Sequence, residues 1–252
     1  GESLTGTEGE EVALVYPRER AAPSPLVGDT QSAVAALAPL ELVPVPAPAR
    51  RPIITPSSVH RGAAPLGALD SLTEQVRDAD SARREGIALH ALLQHLGGVE
   101  PSLRAEVGRK ALVSLLPEAP ASHDRLHAKA LSILGRPELA GLFGPNSRPE
   151  VPFLLDARRD GEDIRLAGRM DRLVIDDSGV VVVDYKSDMS VPARPEDVTG
   201  NYLTQLGLYA LVASQLFPGQ DVRAAILWTE LESLMFLPPD LLAAARQGFI
   251  LR

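Results

Sequence analysis

The chain has 252 residues, of which 45% are hydrophobic and 23% charged, so it can bury a core as an ordinary globular protein does. Its formal net charge of −8 argues against a nucleic-acid coat protein or a polybasic membrane binder, although basic residues could still cluster locally. The absence of cysteine excludes disulfides, zinc ribbons and thiolate-held iron–sulfur clusters, and no apolar run reaches the roughly 18 residues of a membrane span.

The first 55 residues differ in composition from the rest. They begin Gly- and Glu-rich and pass through AAPSPL to LVPVPAPARRPIIT, a density of proline that cannot support helix interiors or central strands. We therefore predict that residues 1–55 are a Pro-rich linker, partly disordered, that tethers a domain over residues 56–252. This segment also lacks the basic-then-apolar order of a signal peptide, so we expect a cytoplasmic protein without a membrane partner.

Residues 56–149 show helical periodicity. A helix that opens at Ser81 and ends at Gly97-Gly98 carries a stripe of leucines at helical spacing: Leu89, Leu92, Leu93 and Leu96. Two more helices are predicted over about 102–116 and 122–135, each bounded by proline, serine or glycine. This part of the domain is therefore expected to be mainly helical.

From residue 150 the period changes to that of strands. VPFLLDAR, IRLAGRMDRLVI and VVVVDYK are separated by RDGED and DDSG, which are suited to the turns of antiparallel hairpins. A helix over about 197–216, the strand AAILWTE and a closing helix in LPPDLLAAARQGFI follow. The order predicts an α/β fold with a central mixed sheet flanked by helices, preceded by the helical region.

Two acids and a lysine interrupt the apolar strands. Alternation places Asp184 and Lys186 on one face, about 6.6 Å apart, and a hairpin turn over 176–179 can bring Asp171 to the same end of the sheet. Two carboxylates in an apolar setting repel each other, and Mg²⁺ with its preference for oxygen ligands removes that conflict. Lys186 could then orient a nucleophilic water or stabilise charge on a phosphate, whereas the alternative is a plain surface salt bridge between Asp184 and Lys186.

Further motifs join these residues. GRMDRL, VVDYKSD and QLGLYA together resemble the RecB-type branch of the PD-(D/E)xK nuclease superfamily, and more narrowly the C-terminal nuclease domain of AddA-like double-strand-break repair helicase–nucleases. EGIALHALLQHL resembles the His-bearing helix of that family, and RPEVPF the segment that leads into its first core strand. The resemblance covers about residues 56–236 and implies a restriction-endonuclease-like core.

The resemblance implies a metal site and a set of catalytic residues. A Mg²⁺ or Mn²⁺ ion would be held by His90, Asp171, Asp184 and the backbone carbonyl of Tyr185. Without the family pattern, a histidine beside a leucine stripe is more often a packed side chain than a ligand. The remaining implied roles are a catalytic lysine at Lys186, catalytic and DNA-binding side chains at Gln205 and Tyr209, a DNA contact at Arg172 and a supporting acid at Glu150.

The activity implied is that of a Mg²⁺- or Mn²⁺-dependent deoxyribonuclease in double-strand-break repair and recombination, acting as an exonuclease on single strands fed by an attached helicase. The expected partners are DNA, the helicase portion of the same longer protein and an AddB-like partner protein. The chain has no G-x-x-x-x-G-K-[ST] phosphate loop, so we expect no ATP site in it, and without cysteine no iron–sulfur cluster. An acidic domain of this kind is expected to bind DNA weakly by itself.

Two other functions stay open at this point. One is a catalytically silent nuclease-fold module that serves as a docking platform in a DNA-repair complex. The other is a zinc hydrolase built on His123 and His127, although Asp124 stands where H-E-x-x-H has glutamate and no third ligand is evident.

Overall fold

The computed structural model of the chain describes two short strands, β1 (Leu4–Thr5) and β2 (Glu11–Val12), residues 51–59 and residues 72–252, the last with side chains from residue 80 onward. Two compact units result, Gly1–Pro48 and Ala49–Arg252. In the first unit β1 and β2 pair antiparallel. Most of the predicted linker over residues 1–55 lies outside the described residues, and its separation from residues 56–252 stays a prediction.

Three helices form the helical part of the second unit: α1 (Leu72–Leu96), α2 (Arg104–Leu115) and α3 (His123–Gly135). Helix α1 begins before the predicted start at Ser81, but its leucine stripe is buried as the spacing requires. The stripe packs against Leu112 of α2 and Ile133 of α3. No helix in the described part of the chain is both long and apolar enough to cross a membrane.

A seven-stranded mixed sheet follows, and it confirms the predicted α/β fold. Its strands are β3 (Ile53–Ile54), β4 (Ser147–Arg159), β5 (Glu162–Asp176), β6 (Gly179–Lys186), β7 (Val222–Trp228), β8 (Ser233–Leu237) and β9 (Phe249–Leu251). The order is β8-β7-β6-β5-β4-β9, with β3 pairing in parallel with β5. The hairpins β4–β5 and β5–β6 are antiparallel as predicted, whereas β6 and β7 run parallel and are connected through helix α4 (Gly200–Leu216).

Strand β6 is covered on both faces, which explains its run of valines. Val181, Val183 and Tyr185 belong to the core formed with α1, α2 and α3. Val180 and Val182 belong to the core formed with α4. By the same alternation Asp184 and Lys186 continue the side that faces α4.

The C-terminal third of the chain departs from the predicted elements. The helix expected over 197–216 begins at Gly200, because Pro195–Asp197 form a short 3-10 turn before it. The stretch expected as one closing helix contains the short helix α5 (Pro239–Ala245) between strands β8 and β9. Gly248, with φ of 88°, ends this helical stretch and lets the chain turn back into β9, a conformation that glycine adopts without strain.

Arg172 lies in the core, so the predicted contact of this residue with DNA is wrong. Its exposure is 2%, because α1 covers the face of β5 from which it projects. The guanidinium donates hydrogen bonds to four oxygens of the surrounding segments: the carbonyls of Leu93 (3.0 Å) and Leu142 (3.1 Å) and the hydroxyls of Ser147 (2.8 Å) and Tyr185. A side chain that is buried and bonded in this way joins helix to sheet and is out of reach of a phosphate at the surface.

We expect Arg172→Met to lower the free energy of unfolding by about 3 kcal/mol, because it leaves buried carbonyls without donors. Arg169→Met is the matched control, since Arg169 lies on the same strand with 64% of its side chain exposed and pairs with Glu150 at 3.0 Å. This control should change stability by less than about 1 kcal/mol. Urea denaturation followed by circular dichroism measures both, and equal losses would contradict the structural role of Arg172.

Candidate active site

Three carboxylates lie close together on three adjacent strands. The ladder between β5 and β6 ends at the pair Arg172 and Val183, and Asp171 and Asp184 are the next residues of the two strands. On β4, Glu150 lies between Pro149 and Val151, whose partners Arg172 and Met170 flank Asp171, although Glu150 itself has a φ of 52° and is not paired in the ladder. Burial raises the pKa of Asp171, and the charges of Asp184 and Glu150 raise it further, which reflects how close the three acids are. The structure therefore brings together the two acids that the sequence predicted as ligands, with the predicted supporting acid beside them.

His90 lies on helix α1, next to these acids. The Nδ1 atom of His90 lies 3.7 Å from Oδ2 of Asp171, and the imidazole stands edge-on to the Tyr185 ring, with ring centroids 5.3 Å apart. The same Asp171 oxygen accepts the backbone N–H of Tyr185 at 2.8 Å. Burial lowers the pKa of His90 below its ordinary value, which favours the neutral imidazole that can act as a ligand.

Lys186 belongs to a closed network with Asp184 and Gln205. Its ammonium lies 2.6 Å from Oδ2 of Asp184 and donates to Oε1 of Gln205 at 3.0 Å. The Gln205 amide in turn donates to Oδ1 of Asp184 at 2.9 Å and to the Tyr209 hydroxyl at 3.1 Å. One amide thus bridges the acid and the lysine, which holds both side chains in fixed positions.

The electrostatics of the acids fit a divalent cation. Burial and the neighbouring Asp184 raise the pKa of Asp171 to about 8. Asp184 is 2% exposed, and its Oδ2 atom makes no hydrogen bond, although it forms the ion pair with Lys186. Carboxylate oxygens with an imidazole are ligands that Mg²⁺ and Mn²⁺ accept, and a cation there would offset the repulsion.

The two acids predicted as metal ligands, Asp171 and Asp184, already contact other groups of the protein. Among the described residues, no three His, Asp or Glu side chains are already arranged to chelate one ion. Asp184 is turned to Lys186 and Gln205, and Asp171 to Tyr185. Holding a metal would therefore require the Asp184 carboxylate to exchange part of its contact with Lys186 for the ion.

Two residues that sequence reasoning missed complete the surroundings of Lys186. The ammonium lies 4.4 Å from the centre of the Tyr202 ring, and the Tyr202 hydroxyl donates to Asp188, whose two oxygens lie 3.1 and 3.0 Å away. Burial, with Asp188 next, raises the pKa of Tyr202, so its hydroxyl stays protonated. The signal was present in the spacing, because Tyr202 lies one helical turn before Gln205 and Asp188 lies two residues after Lys186.

A cleft of about 300 Å³ opens onto this network between α1 and the end of β6. Its α1 wall includes Arg83, Gly86 and His90, and its other wall includes Lys186 and Tyr202. A Cβ atom at Gly86 would lie 3.0 Å from the Ser187 hydroxyl oxygen, so glycine permits the close approach of the two walls. A substrate that enters the cleft can thus reach both His90 and Lys186.

The two histidines of the alternative zinc site have structural partners. The Nε2 atom of His123 lies 2.7 Å from the Leu116 carbonyl oxygen, and that of His127 lies 2.8 Å from the Ala105 carbonyl oxygen. No third ligand joins them in the part of the chain whose side chains are described. The zinc hydrolase therefore finds no support.

Comparison with known proteins agrees with the motifs. Residues 65–240 match the family model of the PD-(D/E)XK nuclease superfamily, a range that contains the whole site. An ATP-dependent helicase/nuclease protein of Acetivibrio thermocellus is 29% identical over 154 residues, which cover 55% of this chain and 12% of the relative. The protein of the same description from Oceanobacillus iheyensis is 25% identical over 179 residues, which cover 63% of this chain and 14% of the relative. The resemblance inferred from the sequence is confirmed.

The chain spans only a small part of its relatives' length. The chain corresponds to only 12% to 14% of the length of the two relatives. Among solved structures, the crystal structure of SSO0001 matches 64% of this chain and 81% of its own at 21% identity. Its TM-score is 0.30, so it carries no argument about the fold.

The raised pKa of Asp171 makes the stability of the metal-free protein depend on pH. Between the ordinary value of 3.8 and the value of about 8, the unfolded chain loses the Asp171 proton while the folded chain keeps it. Stability therefore falls as the pH rises through this window. We expect Asp171→Asn to stabilise the protein relative to wild type by an amount that grows from pH 4 to pH 8, measured as melting temperature in EDTA.

Asp176→Asn is the control for this prediction. Hydrogen bonds from Ser178 lower the pKa of Asp176, so its contribution is present above the unfolded value and is lost on acidification. Its substitution should therefore destabilise the protein at neutral pH, the opposite sign. A difference between Asp171→Asn and wild type that does not change with pH would contradict the burial argument.

Proposed function

The chain belongs to the PD-(D/E)XK nuclease superfamily, and we propose that it hydrolyses the phosphodiester bonds of DNA with the aid of Mg²⁺ or Mn²⁺. The observation that carries this proposal is the meeting of Asp171, Asp184 and Lys186 at the end of β6, beside His90. A structural salt bridge alone would account for Asp184 and Lys186. It gives no reason for a second, partly buried acid and an imidazole next to them.

The residues that would hold the ion are His90, Asp171 and Asp184 through their side chains and Tyr185 through its backbone carbonyl. When bound, the ion supplies Lewis-acid chemistry, lowering the pKa of water and offsetting negative charge on the phosphate. Glu150 on β4 supports the site by adding a further negative charge near Asp171. Its own carboxylate is oriented by Arg169 at 3.0 Å.

Lys186 acts on the reacting phosphate. Its ammonium projects into the cleft, where it can stabilise the charge that develops as a water oxygen bonds to phosphorus and the leaving oxygen departs. Gln205 keeps this ammonium and the Asp184 carboxylate in fixed relation, and Tyr209 fixes the orientation of the Gln205 amide. Both α4 residues lie at 7% and 4% exposure, so this positioning role accounts for them better than a broad contact with DNA.

The wider setting is a further part of the proposal, and the names of the relatives support it. They are named as ATP-dependent helicase/nuclease proteins and this chain matches a small fraction of their length, and we infer that the chain is the nuclease portion of a longer helicase–nuclease in the cytoplasm. Its substrates are single strands supplied by the helicase portion, which it trims as an exonuclease during double-strand-break repair, together with an AddB-like partner protein. A docking platform without catalysis is the second candidate, but it gives no reason to retain both acids and the lysine.

The activity is tested with a labelled single strand and Mn²⁺. Wild type should cleave it, and both Asp184→Ala and Lys186→Ala should lower kcat by about 100- to 1,000-fold, the scale for removing one group that stabilises transition-state charge. Asp197→Ala is the control, because this exposed acid pairs with Arg194 outside the site. Cleavage that persists in both site variants would reveal a contaminating nuclease, and a silent wild type would favour the docking platform.

Since Arg172 is buried, Arg83 is the arginine that we propose as a contact for DNA phosphate. It is exposed, lines the cleft on the α1 face that carries His90, and forms no ion pair with any side chain that the structure describes. Arg84, the next residue, lies 3.4 Å from Glu118. The two arginines thus differ in their surroundings while sharing residue type and helix.

We expect Arg83→Ala to weaken binding of a single strand and to reduce the slope of log affinity against log salt by about 0.7, the value for one lost phosphate contact. Arg84→Ala should leave the slope unchanged. Fluorescence anisotropy between 50 and 200 mM NaCl, roughly the range over which phosphate contacts are resolved, measures both with Ca²⁺ in place of Mn²⁺. Equal slopes for the two variants would show that Arg83 does not contact a DNA phosphate.

A further inference from the structure

The third neighbour of the Lys186 ammonium is an aromatic ring. Asp184 and Gln205 contact the ammonium through oxygen atoms, and the Tyr202 ring lies 4.4 Å from Nζ. A lysine ammonium within about 6 Å of a ring centroid is attracted by the negative face of the ring. The ring also limits the directions in which this flexible side chain can turn, and Lys186 keeps 16% exposure as a result.

The Tyr202 ring is itself fixed on two sides. Its hydroxyl donates to Asp188, with both carboxylate oxygens at 3.0–3.1 Å, in the loop that follows β6. Its ring centroid lies 6.2 Å from that of Trp228, which is 2% exposed at the end of β7. A ring held at its hydroxyl and along its edge has little freedom to leave the ammonium.

We propose that Asp188 and Tyr202 are positioning residues that hold the Lys186 ammonium for catalysis, an inference that rests on the nuclease function proposed above. Asp188 anchors the Tyr202 hydroxyl, and the Tyr202 ring then confines the ammonium against Asp184 and Gln205. The contact with the Tyr202 ring would matter most if Asp184 turned toward a metal ion, because Lys186 would then lose part of its ion pair with Asp184. The ring and the Gln205 amide, one helical turn apart on α4, remain as its partners.

Three variants separate positioning from packing. Tyr202→Leu removes the ring, Tyr202→Phe keeps the ring and loses only the bond to Asp188, and Phe236→Leu is the control. Phe236 carries a ring 5.5 Å from the Arg223 guanidinium, toward the opposite end of β7 from Trp228. The readouts are kcat and KM for a single strand with Mn²⁺, together with the NMR resonance of the Lys186 ε-methylene protons, which the ring current displaces.

We expect Tyr202→Leu to lower kcat by about 3- to 30-fold with KM unchanged, and to move the Lys186 resonance. Tyr202→Phe keeps the ring but loses the bond to Asp188, so it should lower kcat by about 2- to 10-fold, less than Tyr202→Leu does, and move the resonance less. Phe236→Leu should change neither. If Tyr202→Leu does not fold, Asp188→Ala replaces it as the test. This variant removes the hydrogen bond to the Tyr202 hydroxyl but keeps the ring packed beside Trp228. Its kcat should fall by about 2- to 10-fold.

The outcomes distinguish the inference from the function on which it rests. A wild type that cleaves DNA, with Tyr202→Leu matching its kcat and resonance and losing only melting temperature, overturns the positioning role alone. A wild type that cleaves nothing with any divalent metal overturns the nuclease function and the catalytic purpose of the pair together. A fall in kcat in Tyr202→Leu that Tyr202→Phe restores only in part, with Asp188→Ala matching Tyr202→Phe, supports the proposal.

Discussion

Asp171 and Asp184 lie next to each other just past the last ladder pair of β5 and β6, where the first side chain is only 19% exposed and the second 2%. Two like charges in this position oppose folding unless protons, cations or hydrogen-bond donors offset them. The surroundings supply such groups: the Tyr185 N–H for Asp171, and the Lys186 ammonium and Gln205 amide for Asp184. Burial and the charge of Asp184 still raise the pKa of Asp171, and the repulsion between the two carboxylates is the part of the conflict that a divalent cation would resolve.

The fold determines whether each residue at the end of β6 contacts helix α1 or helix α4. Because side chains alternate along β6, Tyr185 is directed to the α1 side and stands against His90, whereas Asp184 and Lys186 are directed to the α4 side, where Gln205 and Tyr202 reach them. The site therefore lies where helices on two faces of the sheet meet the end of one strand. Arg172 contributes from within, since it joins α1 to β5 and β6 without reaching solvent.

Local periodicity accounts for what the sequence could predict. The alternation of β6 was sufficient to place Asp184 and Lys186 on one face, and the hairpin turn brought Asp171 to the same end of the sheet. Gln205, Tyr209 and His90 were expected at the site only from the resemblance to the nuclease family. Strand periodicity assigns Arg172 to a face but says nothing about whether a helix covers that face, so its burial was missed. Strands β8 and β9 have five and three residues, which are too few for either period to be visible. The roles of the site residues in catalysis remain predictions.

Crystals of this chain soaked in Mn²⁺ would test the central claim most directly. Anomalous difference density should show an ion in contact with His90, Asp171 and Asp184, at metal–oxygen distances of about 2.0–2.3 Å, with the Asp184 carboxylate rotated partly away from Lys186. Density at any other place, with Asp184 still in contact with Lys186 and Gln205, would show that these acids form a structural ion-pair network and would contradict the account.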